Sequence, residues 1–432
     1  MRNTVSTFTR LFAVCAVLFH GVFLAAGAGA QPGVIVNPGP PAIPINPLPL
    51  LVINTGATSL DSIADLNGDG LRDLILGDAD NDVVELRSGR NGALLATIPG
   101  TPGSQFGYDV ASIRDVDGDG LEDVLVGAPS FYQPPNPNVG RAYLFSSSTL
   151  FALRVWTAST PAPSFAYGWA VASAGQNNGT GSDEVVVTDL QYTPPGMIAN
   201  VGLVELVDVS GVPTAIGTVV GTADYEELGS SVANLGDRTG DGIDELVVGS
   251  TRFFFPGGTS CLPGANTFGV ATEYDGATLT PLAVLTGSGP ADTFGFSVAA
   301  ANLDLDGLNE IIVGAPDLCP LSTPMAYTET GLVIPSPANP NVHFGWSVSG
   351  VGNIVGNAYD EIVVGAPQVF GGGFTGRAYL INGRNGSVLT TLMPAGAGAR
   401  FGLDVTELFV ANGINYFAVA DPDAGRVHVY GF

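Results

Sequence analysis

The residues best placed to do chemistry are the acids of Asp115-Val-Asp117-Gly-Asp119-Gly-Leu121-Glu-Asp123, followed at once by Val-Leu-Val-Gly127-Ala-Pro129. Asp115, Asp117 and Asp119 stand two residues apart, so a tight loop can turn their carboxylates toward one point. Gly118 and Gly120 permit the positive φ that such a turn needs. Asp123 stands at the mouth of the apolar run, where its carboxylate can close the site. Hard oxygen donors at this density suit Ca2+ rather than Zn2+, which takes His and Cys. An EF-hand has Glu at its twelfth position and a helix beyond it. Here that position is Val126, inside a run that reads as a strand, so the spacing predicts a calcium loop between two strands.

The pattern returns three times. Asp65, Asn67, Asp69 and Asp73 precede Leu-Ile-Leu-Gly77; Asp237, Thr239, Asp241 and Glu245 precede Leu-Val-Val-Gly249; Asn302, Asp304, Asp306 and Glu310 precede Ile-Ile-Val-Gly314-Ala-Pro316. Each set places oxygen-bearing side chains at positions 1, 3, 5 and 9 of its loop. The competing reading is acidic hairpin turns that hold no ion, since Asp and Gly also crowd ordinary turns. Thirteen of the chain's forty carboxylates occupy these positions, where they would repel one another without a cation.

The elements that must position these loops also repeat. Each unit opens with an apolar or aromatic residue plus Gly: Phe106, Tyr167, Leu228, Phe294, Phe344 and Phe401, with a degenerate start near Gly56–Leu60. A short strand leads into the loop, a second strand ends in Gly, and a variable segment leads to a third strand. Third strands read at 140–145, 201–206, 376–381 and 425–430, and fourth strands at 94–98, 282–285 and 388–392. Seven units of four short strands, with no 3.6-residue periodicity, predict an all-β, seven-bladed β-propeller over residues 49–432. The last unit lacks a fourth strand, and Leu50–Ile53 is expected to supply it and close the ring, removing an exposed sheet edge.

Arg2 and Arg10, the apolar run 11–26 and Ala28-Gly-Ala30 read as a secretory signal peptide over 1–30. A Pro-rich linker over 31–48 follows it. The protein is therefore expected to be secreted, at the cell surface or periplasmic, with no membrane insertion, since no later stretch is long and apolar enough. Net charge is −26 and all fourteen basic residues are Arg, which excludes nucleic acid and anionic membrane surfaces as partners. Export favours a disulfide between Cys261 and Cys319, although their spacing does not establish that they come within reach.

The Phe-Gly starts, the Asp-x-Asp-x-Asp-Gly-x-x-Asp loop and the Gly-Ala-Pro endings at 127–129, 314–316 and 365–367 resemble the FG-GAP repeat. That repeat builds the seven-bladed propeller of integrin alpha chains. The resemblance covers roughly residues 50–432 and implies Ca2+ in the loop between the first two strands of a blade. It implies side-chain ligands at positions 1, 3, 5 and 9 and the main-chain carbonyl at position 7. Those carbonyls belong to Leu71, Leu121, Ile243 and Leu308. Residues 176–184 and 353–361 lack the acidic triplet and are expected to hold no metal.

No His-Glu-x-x-His or Gly-x-Ser-x-Gly motif is present. Gly371–Gly376 fits a G-x-G-x-x-G pattern but precedes a strand rather than a helix, so it reads as a loop. His343 and His428 read as packing residues. With no catalytic motif, the chain is expected to be a non-catalytic adhesion or ligand-recognition module rather than an enzyme. Its partner would be a protein or carbohydrate. An extracellular polysaccharide-active enzyme and a structural envelope protein on the same propeller remain the alternatives. Segments 130–135, 190–195 and 252–256 combine aromatics with Pro on the face opposite the calcium loops. Tyr132, Tyr192 and Phe254 are there either to meet a ligand or to pack as a lid.

Overall fold

A continuous apolar strand is stable only when both its faces are covered, and the second strands of the repeats are of that kind. In the computed structural model Asp123–Ala128, Glu245–Ser250 and Glu310–Ala315 are buried at every residue. Outer strands such as Pro281–Thr286 alternate between exposed and half-buried, as one-sided strands do. The described residues are 47–132, 139–159, 166–175, 183–197, 199–251, 268–287, 293–316, 324–337, 343–369, 375–394, 400–411 and 413–432. The targeting segment, residues 31–46 of the linker, Cys261, Cys319, Phe254, 176–182 and Gly371–Phe374 lie outside them.

Among the described residues the strands form seven four-stranded sheets, and the one helix is the short 3-10 turn Pro422–Ala424. Blade 1 runs through Ser59–Ile63, Asp73–Asp78, Val83–Arg87 and Leu94–Pro99 as an antiparallel meander. The first strands of blades 2 to 7 are Val110–Ile113, Tyr167–Gly175, Leu228–Gly236, Ser297–Ala301, Val348–Gly350 and Val405–Ala411. Each lies against the first strand of the next blade, and blade 7 returns to blade 1. The fold is a seven-bladed β-propeller.

The ring closes as expected. Leu51–Asn54 pairs antiparallel with Arg426–Gly431, Leu51 opposite Val429 and Ile53 opposite Val427, and so becomes the outermost strand of blade 7. Among the described residues no helix is long and apolar enough to cross a membrane.

Blades pack through apolar side chains and through glycine. Ile63, Ile75, Phe106, Val110 and Val124 join blades 1 and 2 in one cluster. The aromatic that opens a repeat packs on its own third strand: Phe106 lies 5.4 Å from Tyr143, Phe344 5.5 Å from Tyr379, and Phe401 5.3 Å from His428, ring centre to ring centre. The Gly beside it has a separate task. A Cβ on Gly127 would lie 2.1 Å from the carbonyl oxygen of Gly168 in the next blade. The same contact recurs at Gly77, Gly249, Gly314 and Gly365, each against the Gly of the following start. The Gly that ends a second strand and the Gly that opens the next repeat are thus two halves of one inter-blade contact.

Candidate metal centre

The loop 115–123 leaves its first strand at Ile113 and enters the second at Asp123, so the register of one hairpin fixes both of its ends. Within it Asp115 accepts the amides of Gly118 at 2.6 Å, Asp119 at 3.1 Å and Gly120 at 2.7 Å. Asp117 accepts Asp119 N–H and Asp119 accepts Leu121 N–H. Gly118 and Gly120 have φ of 85° and 93°, the left-handed conformation that favours glycine. Oxygens of Asp115, Asp117 and Asp123 all lie within 4.8 Å of one another. Asp304, Asp306 and Glu310 form the second such group among the described residues.

In blade 1 the third position is Asn67, whose Nδ2 donates to Asp73 at 3.1 Å, and Asp65 accepts the amides of Gly68, Asp69 and Gly70. Blade 4 repeats that cradle on Asp237. There Thr239 donates to Glu245 at 3.4 Å, so its hydroxyl takes the place of a third carboxylate. Blade 5 has Leu305 where the others have Gly, and it still adopts φ of 77°, a strained conformation for a bulky residue.

Electrostatics separate the ninth position from the rest. Asp123 is buried, accepting Val116 N–H at 2.9 Å and Ser147 N–H at 3.3 Å. Burial, and then the charges of Asp117 and Asp119, push its carboxyl up to about 6. Burial and the charges of Asp69 and Asp65 do the same to Asp73, also to about 6. Asp115 moves the other way: a burial penalty is outweighed by the amides of Gly120, Gly118 and Asp119, and its carboxyl lies below the usual range. One member of the set therefore resists ionisation beside the others.

The donor set of blade 2 fits a hard divalent cation: carboxylates converge, no side-chain nitrogen or sulfur stands among them, and the buried acid faces neighbouring negative charge that a cation would offset. Asp115, Asp117, Asp119 and Asp123, with the carbonyl of Leu121, would hold it in blade 2. Residues 65–73, 237–245 and 302–310 would do so in blades 1, 4 and 5.

Two sets of contacts escaped the sequence reading. The hairpins between third and fourth strands reach the acidic loops: Ser148 donates to Asp119, Ser88 donates to Asp69 at 3.3 Å, and Gly89 N–H reaches Asp73 at 3.1 Å. The eighth residue of each loop turns toward a neighbouring blade. Arg72 pairs with Glu122, and Arg114 with Asp183 at 3.2 Å. No local signal marks either set, because the partners are about 15 to 70 residues apart. Blade 6 carries a loop of the same form without the triplet: Gly356 and Ala358 have φ of 71° and 73°, and Glu361 accepts the amides of Ile354 and Val355.

On the opposite face Tyr132 is 56% exposed beside Phe131, over whose ring the Arg141 guanidinium lies at 3.8 Å. Of the two roles open to Tyr192, the structure gives packing: it is buried, and its carbonyl accepts Val201 N–H at 2.9 Å. The main chain at Val201 and Gly202 returns to it, both amides donating to its carbonyl. His343 and His428 are buried, as expected of packing residues.

Residues 106–145 match the FG-GAP repeat model. Blade 2 is an FG-GAP repeat. The chain is 30% identical to integrin alpha-8 of Gallus gallus over 184 residues, 39% of this chain and 16% of that one. It is 28% identical to integrin alpha-5 of Xenopus laevis over 181 residues, 38% of this chain and 16% of that one. The matched stretch thus spans about a sixth of the length of these relatives. Among solved structures, the crystal structure of BBS1N in complex with ARL6DN aligns over 88% of this chain and 95% of that one. Its TM-score is 0.53 at 10% identity, a likeness of fold alone. The FG-GAP propeller described here is integrin-alpha-like.

Proposed function

We propose that the protein is an exported, calcium-stabilised propeller that recognises a protein or carbohydrate ligand through the loop face opposite its calcium loops. The observation that carries this reading is the convergence of the Asp115, Asp117 and Asp123 oxygens within 4.8 Å around a carboxylate that burial, and then the neighbouring acids, push up to about 6. A bound divalent cation supplies the charge that lets these carboxylates ionise together. The protein's own part is to pre-form the loop through backbone amides and to bring Asp123 in from the second strand. Exposed Tyr132 and the Arg141–Phe131 pair at the other end of blade 2 support a recognition face there. Similarity to integrin alpha chains supports recognition rather than catalysis.

Extracellular calcium modules commonly bind at about 10⁻⁴–10⁻³ M, so stability should follow calcium in that range. A thermal melt in excess Ca2+ and again in chelator tests this. At 100 times Kd the cation adds about 2.7 kcal/mol per site, which moves the melting temperature up by several degrees. Superimposable melts would mean that the acidic loops are turns that hold no ion.

A further inference from the structure

The eighth residue of each loop is not a ligand, yet its contacts follow a rule. In blade 3 Asp183 accepts the main-chain N–H of Arg114, which stands just before the blade 2 loop, at 3.3 Å. In blade 4 the Asp244 carboxylate sits where a Cβ on Gly175 would be, 2.3 Å from that point, just before the blade 3 loop. In blade 5 Asn309 Nδ2 donates to the carbonyl of Leu235 at 3.1 Å, at the approach to the blade 4 loop. In blade 6 Asp360 accepts Asn302 N–H at 2.9 Å, and its own amide donates to the Asn302 carbonyl at 2.9 Å. Blade 2 varies the theme, with Glu122 on Arg72, the eighth residue of the blade 1 loop. Several of these side chains, with Ser112 and Ser173, line one cavity of about 250 Å³ at the loop end of the first strands.

We infer that the eighth residue is a positioning residue for the loop of the preceding blade, and that where this loop carries the acidic set, in blades 1, 2, 4 and 5, its calcium site is coupled to the following blade. The inference rests on the calcium reading above. Asn302 carries the clearest case, because it is both the first ligand position of the blade 5 loop and the residue that Asp360 holds through its N–H and its carbonyl. Asp360 belongs to the loop that lacks the acidic triplet. A blade without a metal set of its own thereby fixes the entry of a neighbour's site.

Hydrogen exchange of the folded protein, followed peptide by peptide during a Ca2+ titration, reads each loop separately. In Asp360→Ala the calcium midpoint for residues 302–310 should rise by about two- to tenfold, the range set by loss of one hydrogen bond. The midpoint for 115–123 should not move. Asp360→Asn keeps an acceptor for Asn302 N–H and should restore the wild-type midpoint, which a general loss of stability would not do. Should Asp360→Ala fail to fold, Asn309→Ala applies the same test to 237–245. Calcium protection that is unchanged at 302–310 in Asp360→Ala, or at 237–245 in the substitute variant, would overturn the coupling while leaving the calcium sites intact. Absence of calcium protection from every loop of the wild type would overturn the calcium reading and the coupling with it.

Discussion

Asp123 is buried and accepts two backbone amides, whereas Asp117 stands at the surface and accepts one. Substitution should therefore separate loop-building from ion-binding. Asp123→Ala leaves Val116 and Ser147 amides without their acceptor, and should cost about 1–3 kcal/mol even in chelator. Asp117→Ala should stay within about 0.5 kcal/mol of wild type in chelator, as surface changes do. Both should lose the calcium increment of blade 2. Urea unfolding with and without calcium measures all four values, and a full increment retained by Asp117→Ala would remove that residue from the ligand set. The acidic loops themselves were legible because their spacing is local. That the ninth acid first serves its own loop was not. Glu361 shows it, tied to Ile354 and Val355 in a loop with no acidic triplet.

At the scale of the strand, one column of third-strand side chains receives the aromatic of each repeat start. Blades 2, 5 and 6 fill it with Tyr143, Tyr327 and Tyr379, and blade 7 with His428. Burial, and then the nearby Arg426 charge, hold the His428 imidazole down at about 4, against an ordinary value near 6.5. A depressed folded value means that the unfolded chain binds the extra proton. The contribution is therefore complete above pH 6.5 and is lost as pH falls toward 4. Full realisation corresponds to at most about 3 kcal/mol. Asp421, 3.8 Å from Nε2, would recover part of it by facing the protonated ring. Urea unfolding of His428→Tyr against wild type at pH 7 and pH 4.5 isolates the effect, because every other titrating group is shared. The variant should lose less stability on acidification, and equal losses would remove His428 as a source. Third strands were readable from their Arg-Ala-Tyr pattern, but blade 3 shows the limit. The strand is Leu203–Asp208, two residues beyond the expected 201–206, because Val201 and Gly202 instead donate to the Tyr192 carbonyl and Gly202 bridges to Leu228.

For the whole molecule, the closing strand matters more than its length suggests. Leu51–Asn54 covers the edge of Arg426–Gly431 and buries Ile53 in the core that joins blade 7 to blade 1. Deleting residues 47–54 should lower the melting temperature by several degrees and produce concentration-dependent association, since a hydrogen-bonding edge is left open. Size-exclusion chromatography and a thermal melt of the truncated chain check this, and a monomer that melts like the wild type would show that the ring holds without the strand.

By itself the sequence determined the blades, their number and the place of the acidic loops, because each rests on a local pattern that recurs along the chain, and the strand missing from the last unit pointed to its partner. Only the tertiary structure decided which side chains those patterns meet. The Gly127–Gly168 contact, the serines over the acidic loops, the buried state of Tyr192 and the chain of eighth-position contacts all join residues from different hairpins or blades. Periodicity states what a strand is. Neighbours around a closed ring are set by packing, and packing is where the sites acquire their second set of contacts.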